Sequence, residues 1–429
     1  MNKIKILKFG GAVLSNLEGF KNMLNIIKAY SNVKVMLVIS AIAKSTSNLR
    51  LAGTLASNGK LKESQEIIDK LINEYIYFVE NLIIDEKYRL ENINEIISAK
   101  VEIYNLLKGI NITQECTPRT YDLLMSYGEK MTLLIAHKFL KVNGINIEKI
   151  DSTGIIKTNS KYGNASPLME ITNSNIQNHI LPKFKEFDFI IAQGFVASDL
   201  KNEITTMGIE SSNLSAAIYS KCLNCNEIII FTDVDGIRTA DPKTNKITNL
   251  IEKLSYKQAF LIGQNGLKLI YPRMITFAQK AKIKVRIKSG LNNSISETII
   301  SEEKEIKPFN ISIENGTKFL LKININNSNN RAMLSATKIQ LAISKYLAEK
   351  IEPQFIFKII AIENSYCLIE LPDYNPDYNN IKEIKECNKI TTIDFNSAVE
   401  RKYQNIIFNY SNLFYYNSDG KINNYYFLK

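Results

Sequence analysis

Residues 231–243 read FTDVDGIRTADPK, and they close an apolar run that begins at Glu227. A short apolar stretch bounded by turn residues is the pattern of a strand covered on both faces. Past Thr232 the chain is unlike a buried strand: Asp233, Asp235, Arg238 and Asp241 crowd together around Gly236 and Pro242. Ligands of open α/β sheets bind just beyond the carboxyl ends of the strands. The stretch is therefore either an Asx-rich surface turn or the rim of a nucleotide pocket, and the surrounding chain has to decide between them.

Similar runs occur at Lys3–Phe9, Val33–Ile39, Phe187–Ala192 and Lys284–Lys288. Helical patterns separate them, which predicts an α/β fold with a mostly parallel sheet and helices on both sides. Between about residues 60 and 107 the period becomes purely helical. Ile68, Leu71, Ile72, Tyr75, Ile76, Val79, Leu82 and Ile83 recur at steps of three and four, and a second stripe runs from Ile93 to Leu107. A helical pair packed on the sheet domain is expected there, in preference to a partner-binding coil. Near Lys304–Asn310 the texture changes again. Thr317–Ile325, Phe355–Ile362 and Tyr366–Leu371 read as strands and Met333–Lys350 as a helix, which together predict a small α+β module. Beyond Pro372 the chain is rich in Asn, Tyr and Lys and carries no clear period.

Composition narrows the function. A chain of 429 residues suggests two or three domains. No apolar run approaches the roughly 18 residues needed to span a membrane, and MNKIKILKFGG lacks the apolar core of a signal peptide. These features predict a cytoplasmic protein. The net charge of +11 is dispersed among Ile and Asn and makes no phosphate-tracking face, so nucleic-acid binding is not expected. Of the five cysteines only Cys222 and Cys225 form a CxxC. One pair lacks the partners of a structural zinc site; small residues closing a helix is the favoured reading, and a redox pair the other. With His137 and His179 each alone in its surroundings, nucleophilic chemistry of the Ser-His or Cys-His kind has little support.

Several short stretches carry chemistry. In Lys8–Gly11, KFGG, two glycines after a strand let backbone N–H groups face a crevice where phosphate oxygens can sit, with Lys8 as a point charge beside them. ISAIAKST at 39–46 places the small residues Ser40 and Ala41 at the end of the second strand. TPRTYDLLMSYGEK at 117–130 starts a helix at Thr117-Pro118 and carries the carboxylate of Glu129.

Taken in order, KFGG, SAIAKST, TPRT…SYGEK, QGF at 193–195, TTMG at 205–208, TDVDGIRTADPK and GLKLIYPR at 266–273 resemble the aspartokinases over roughly residues 1–300. The resemblance implies an amino-acid-kinase catalytic domain at 1–303 with a helical insertion at about 50–130. It implies a divergent ACT-like regulatory or dimerisation region at 310–429. The implied reaction is MgATP-dependent phosphorylation of the side-chain carboxylate of L-aspartate to 4-phospho-L-aspartate, the first step toward lysine (through diaminopimelate), threonine and methionine. It further implies a homo-oligomer, with a dimer expected.

By the same resemblance Lys8, Glu129 and Lys268 are the catalytic set. The nucleotide would be lined by Lys8, Phe9, Gly10, Gly11, Thr232, Asp233, Arg238, Asp241 and Lys268. The substrate would meet Ser40, Thr46, Glu129, Ser212 and Asn213, with Glu129 holding its amino group. Asp233 and Asp235 would meet Mg2+ through water, although no ligand set is fixed. Three departures stand out. Ala12-Val13 replace the family's Thr-Ser after KFGG, Tyr271 replaces a histidine, and the family's Arg-x-Gly-Ser-Asp appears as Ile209-Glu210-Ser211-Ser212-Asn213. The missing arginine would hold a substrate carboxylate in bidentate fashion. Loss of one such contact costs roughly 1.5–3 kcal/mol and does not abolish binding, so an active variant is favoured. A sister kinase of another acidic substrate and a decayed regulatory homologue are the alternatives. Only one strand–helix–strand unit is legible in the tail, so lysine or threonine feedback is expected to be weak or absent.

Overall fold

The computed structural model describes residues 4–42, 44–240, 248–292 and 295–302 with their side chains, and the backbone of six strands between 310 and 428. Contacts divide the chain into two compact units. The first comprises residues 1–237, 250–263 and 268–306, and the second 238–249, 264–267 and 307–429.

The first unit opens with β1 (Ile4–Phe9), α1 (Leu17–Lys28) and β2 (Lys34–Ile39). Asn16 begins α1 by accepting from the Gly19 amide, with Glu18 in the first turn and Lys28 in the last, as the helix dipole favours. Four helices follow without a strand: α2 (Ser45–Ser57), α3 (Leu61–Leu82), α4 (Glu86–Thr113) and α5 (Pro118–Val142). Thr117 caps α5 by accepting from the Thr120 amide, with Pro118 in the first turn, so the start expected from Thr-Pro is the one adopted. The helical pair expected at 60–107 is thus the middle of a four-helix layer. Along the stripe from Ile68 to Ile83 only Ile76 is not fully buried, because the stripe on α3 faces α2, α4 and α5 at once.

The chain then returns to the sheet through β3 (Ile147–Ile150), α6 (Met169–His179), β4 (Phe189–Gln193), the hairpin β5 (Val196–Ser198) and β6 (Ile204–Thr206), α7 (Ser212–Cys222) and β7 (Glu227–Thr232). It ends with β8 (Lys253–Ser255), α8 (Tyr256–Gln264), α9 (Pro272–Ala281), β9 (Lys284–Ser289) and β10 (Glu297–Ser301). The eight-stranded sheet has the order β3-β4-β2-β1-β7-β9-β10-β8. Pairing is parallel from β3 to β9, and β10 runs antiparallel to β9. The link from β9 to β10 is too short for a parallel crossover, which needs a dozen or more residues, so a hairpin is the geometry available. The mostly parallel α/β class read from the sequence is the one observed. The strands read at Lys3–Phe9, Val33–Ile39, Phe187–Ala192, Glu227–Phe231 and Lys284–Lys288 fall on β1, β2, β4, β7 and β9. The missed ones are short or, like β3 (IEKI) and β10 (ETIIS), interrupted by charge.

The second unit holds a six-stranded antiparallel sheet. Its strands are β11 (Asn310–Lys322), β12 (Lys358–Glu363), β13 (Tyr366–Glu370), β14 (Ile384–Asp394), β15 (Leu413–Ser418) and β16 (Ile422–Leu428), in the order β12-β13-β11-β14-β16-β15. The register of β11 against β14 shifts between Asn315 and Lys318, around Gly316, as a bulge at glycine does. The expected strands in this region overlap β11, β12 and β13. The expected helix at Met333–Lys350 lies outside the described residues. The segment beyond Pro372 contributes three strands that its Asn- and Tyr-rich composition concealed.

Candidate active site

The sheet is built outward from β1 in both directions: β2 and β4 lie to one side, β7 and β9 to the other. Such a reversal opens a crevice at the carboxyl ends of the strands. Lys8 ends β1 there. Leu7 and Phe9 face the core, and the alternation of the strand turns Lys8 to the opposite face, where it is only 6% exposed. Its ammonium folds back over Gly10, 3.5 Å from where a Cβ at that residue would stand. Glycine at position 10 is therefore what leaves room for the lysine head group. The Gly10 amide donates to the Phe231 carbonyl at 3.0 Å, so of the two glycines expected to cradle phosphate only Gly11 keeps its amide out of the sheet. The Phe9 ring is stacked on Phe231, 4.9 Å between centroids, and has no exposed surface; Phe9 can meet a ligand through backbone alone.

Glu129 approaches from α5. Gly128 beside it lies so close to the loop after β2 that an added Cβ would stand 3.1 Å from the Ala41 Cβ and 3.3 Å from the Ser45 Cβ. Glu129 is 3% exposed. One carboxylate oxygen accepts from the Ala41 amide at 3.4 Å, and Oε2 has no partner among the described residues. Burial pushes its pKa up to about 8, opposed by the Ala41 amide and by Lys8. Burial likewise lowers Lys8 to about 8, opposed first by Glu210 and then by Glu129. Beneath Glu129 the Tyr75 hydroxyl, from α3, meets Ser45 Oγ at 2.8 Å, the Gly128 carbonyl at 3.0 Å and Thr132 Oγ1 at 3.1 Å. Thr132 in turn accepts from the Ile42 amide. Ser40 and Thr46 flank this loop, both half-buried, with the Ser40 amide donating to the Phe9 carbonyl.

The start of α7 forms the third wall. Gly194, leaving β4, passes within 2.7 Å of the Ser212 Cα measured from its absent Cβ, and the Phe195 amide donates to Ser215 Oγ. Ser211, Ser212 and Asn213 are buried, and Ser211 Oγ and Asn213 Oδ1 are without partners among the described residues. The loop before them holds Gly208 at φ +98° and Glu210 at φ +69°. It is tied down at the Met207 carbonyl, which accepts from the Tyr271 hydroxyl at 2.9 Å and from Arg273 at 3.0 Å. Arg273 also binds the Ala165 carbonyl, Ser166 and Asn164. Tyr271, where a histidine was the family expectation, is thus a strut of this loop.

At the end of β7 the Thr232 hydroxyl donates to Asp233, whose side chain is exposed. The turn beyond is a built feature. Gly236 at φ +144° packs where a Cβ would lie 2.6 Å from Thr298 Oγ1, and the Ile237 amide donates to that hydroxyl. Arg238 belongs to the second unit and donates to the Thr248 carbonyl and hydroxyl. Lys268 is exposed on the turn after α8. Asp241 lies outside the described residues. Among the expected site residues, Lys8 thus meets Gly10 and acts on Glu129, Ser40 adjoins the Ala41 amide that Glu129 binds, and Ser212 packs on Gly194 at the end of β4, while Thr46 and Asn213 follow in the first turns of α2 and α7.

Sequence reading gave no site role to Tyr75, which it placed only in a helical stripe, or to Asp122. Asp122 is fully buried and accepts from the amides of Gly163 and Thr206 and from the Thr206 hydroxyl. Its place two helical turns before Glu129, on the same face of α5, was the only signal in the sequence. Of the CxxC pair, Cys222 is buried with its thiol pushed up to about 11 by burial, and Cys225 donates to the Ile4 carbonyl. A thiol with so high a pKa is a poor redox nucleophile, so the helix-closing reading is the one the geometry favours. Among the described residues no group of three or more His, Cys, Asp or Glu could hold a metal ion, and no helix is long and apolar enough to cross a membrane.

A buried lysine and a buried carboxyl at the switch point of such a sheet define a class, and the chain belongs to it: the amino acid kinase family model matches residues 3–289. Within that class the chain is similar to aspartokinases. It is 29% identical to aspartokinase 1, chloroplastic, of Arabidopsis thaliana over 307 residues, 70% of this chain and 52% of that protein. It is 27% identical to the lysine-sensitive aspartokinase 3 of Escherichia coli over 313 residues, 72% of this chain and 66% of that one. Against a bifunctional aspartokinase/homoserine dehydrogenase of Buchnera aphidicola it covers only 37% of the relative, so the chain spans about a third to two thirds of these curated relatives. The crystal structure of E. coli aspartokinase III with aspartate and ADP superposes with a TM-score of 0.73 at 21% identity, covering 99% of this chain and 96% of that one; the likeness is one of fold.

Proposed function

We propose that the protein is an ATP-dependent kinase of the L-aspartate side-chain carboxylate. The observation that carries this reading is the meeting of Lys8 and Glu129 in one buried crevice, with Glu129 Oε2 lacking a partner among the described residues. A carboxylate with a pKa near 4 is already ionised at neutral pH and needs no general base. Its oxygen bonds to the γ-phosphorus while the bond from that phosphorus to the β–γ bridging oxygen breaks. ADP leaves with the electron pair, and an acyl phosphate forms. The obstacle is repulsion between two anions, so catalysis is positioning and positive charge. Lys8 supplies that charge at the end of β1. Glu129 receives the acceptor's ammonium, which draws the buried carboxyl into its ionised form.

Mg2+ is commonly held by one or two carboxylates together with substrate phosphates, and the exposed Asp233 at the end of β7 fits that part. When bound, the ion neutralises phosphate charge. Thr232 and Asp233 would line the nucleotide, with Gly11 offering an amide. Arg238, Asp241 and Lys268 complete the proposed nucleotide set on the strength of the motif order alone. The six-stranded sheet of the second unit serves as the ACT-like effector or dimer-forming region, and weak or absent inhibition by millimolar lysine or threonine is the outcome that agrees with its divergence.

Hydroxylamine trapping of acyl phosphate, with aspartate and glutamate compared, tests the reading. Hydroxamate from aspartate alone supports it. Preference for glutamate transfers the assignment to a sister kinase, and hydroxamate from neither leaves a non-catalytic homologue.

A further inference from the structure

Two side chains that the proposed phosphoryl transfer does not use grip the same piece of backbone from opposite sides. From α5, the fully buried Asp122 accepts with one carboxylate oxygen from the amides of Gly163 and Thr206, both at 2.8 Å, and with the other from the Thr206 hydroxyl at 2.7 Å. From α9, Arg273 donates to the carbonyls of Met207 and Ala165, each at 3.0 Å. The two gripped segments are joined to each other, the Ala165 amide donating to the Thr206 carbonyl at 2.9 Å.

The gripped backbone leads directly into the wall of Ser211, Ser212 and Asn213. Gly208 at φ +98° and Glu210 at φ +69° turn the chain there, and a non-glycine residue in that region persists only where its surroundings over-determine it. Downstream, the wall is anchored to the Glu129 side through Gly194. That residue packs on Ser212 and donates its amide at 2.8 Å to the carbonyl of Ile39, just ahead of the Ala41 amide that Glu129 binds. An anchor at one end leaves a turn free to pivot. Asp122 fixes the other end, and it does so from the helix that carries Glu129, two turns before it. A carboxylate suits the task because both oxygens accept, and its charge-assisted bonds are stronger than neutral ones.

We propose that Asp122 is a positioning residue for the acceptor. It locks the turn at 207–211 to α5, so that Glu129 and the wall at 211–213 keep one separation. This rests on the kinase reading and adds to it what holds the two sides of the acceptor site in register.

The test uses the full chain with MgATP and L-aspartate, each variant being assayed well below its melting temperature. Asp122→Ala should raise the aspartate KM about tenfold, the scale of a charge-assisted hydrogen bond, and leave the ATP KM within about twofold. Asp122→Asn keeps an oxygen for the two amides and can turn its NH2 to the Thr206 hydroxyl, which then accepts, so it should recover most of the loss. If Asp122→Ala fails to fold, Thr206→Val removes one leg of the grip and should raise the aspartate KM about threefold without moving that of ATP. A lowered melting temperature with both KM values at the parent's, or an equal rise in both, makes Asp122 a matter of stability and overturns the proposal. An Asp122→Asn as impaired as Asp122→Ala overturns it too, and all these outcomes leave the kinase reading intact. Absence of aspartate-dependent ADP release in the wild-type chain removes the kinase reading and the proposal with it.

Discussion

The hydroxyl of Tyr75 lies 3.0 Å from the carbonyl of Gly128, the residue before Glu129. A side chain from the helical layer thereby reaches under the site and joins α3, α5 and the loop after β2 through Ser45 and Thr132. Replacing Tyr75 by Phe removes the hydroxyl and leaves buried polar atoms unsatisfied, at about 1–3 kcal/mol. The denaturation midpoint should fall accordingly. The acceptor KM should rise as the Glu129 turn loosens; an unchanged KM would make Tyr75 a matter of stability alone.

Proton linkage follows from Glu129. In the empty site its pKa stands at about 8, so at pH 7 the carboxyl is mostly protonated. Seating an ammonium against it should release close to one proton. Calorimetry of acceptor binding in two buffers of different ionisation enthalpy reads this directly, and Glu129→Gln should abolish it.

The same group predicts a pH-dependent stability. Its folded pKa is raised above the unfolded value of 4.5, so its contribution is fully present below about 4.5 and is lost as pH rises through about 8. Glu129→Gln should therefore match the parent near pH 4.5 and exceed it in melting temperature near pH 8.

His137 acts at the other end of the scale. Buried on α5 beside Lys149 and Lys141, it is held down to about 4, chiefly by burial. A depressed folded pKa contributes stability above about 6.5 that is lost as pH falls through about 4. His137→Leu should flatten the loss of melting temperature between pH 6.5 and 4 without altering activity at pH 7.5. An identical acid limb in the variant would count against this assignment.

Gly194→Ala places a methyl 2.6 Å from the Ser212 Cβ and 2.7 Å from its Cα, so β4 or the start of α7 must move. A displacement near 1 Å in a positioned site costs on the order of a hundredfold in rate. Steady-state kinetics should show that loss with circular dichroism unchanged.

The sheet and the helical layer were legible because burial imposes a period. Runs such as KVMLVI and EIIIFT can lie only between two layers, and the α3 stripe can face only a core. Lys8 and Ser40 were legible through glycines and small residues at strand ends, where a ligand needs space, whereas Glu129, within a helix, was legible only through the resemblance of SYGEK to the family's motif. The role of Gly10 was not. Local sequence cannot say that the Gly10 amide belongs to Phe231, nor that Glu129, 121 positions along the chain, is buried where Lys8 acts on it.

Sequence alone determined the class of fold, the five adjacent strands β4, β2, β1, β7 and β9 and the residue types offered at their ends, since these follow from local period and turn chemistry. Tertiary structure decided which of those ends share a crevice and that Lys8 and Glu129 are both buried there. The reason is physical: the order of strands in the sheet and the closeness of β4 to α7 come from packing between segments far apart in the chain, and a pKa near 8 for a carboxyl exists only once that packing has excluded water.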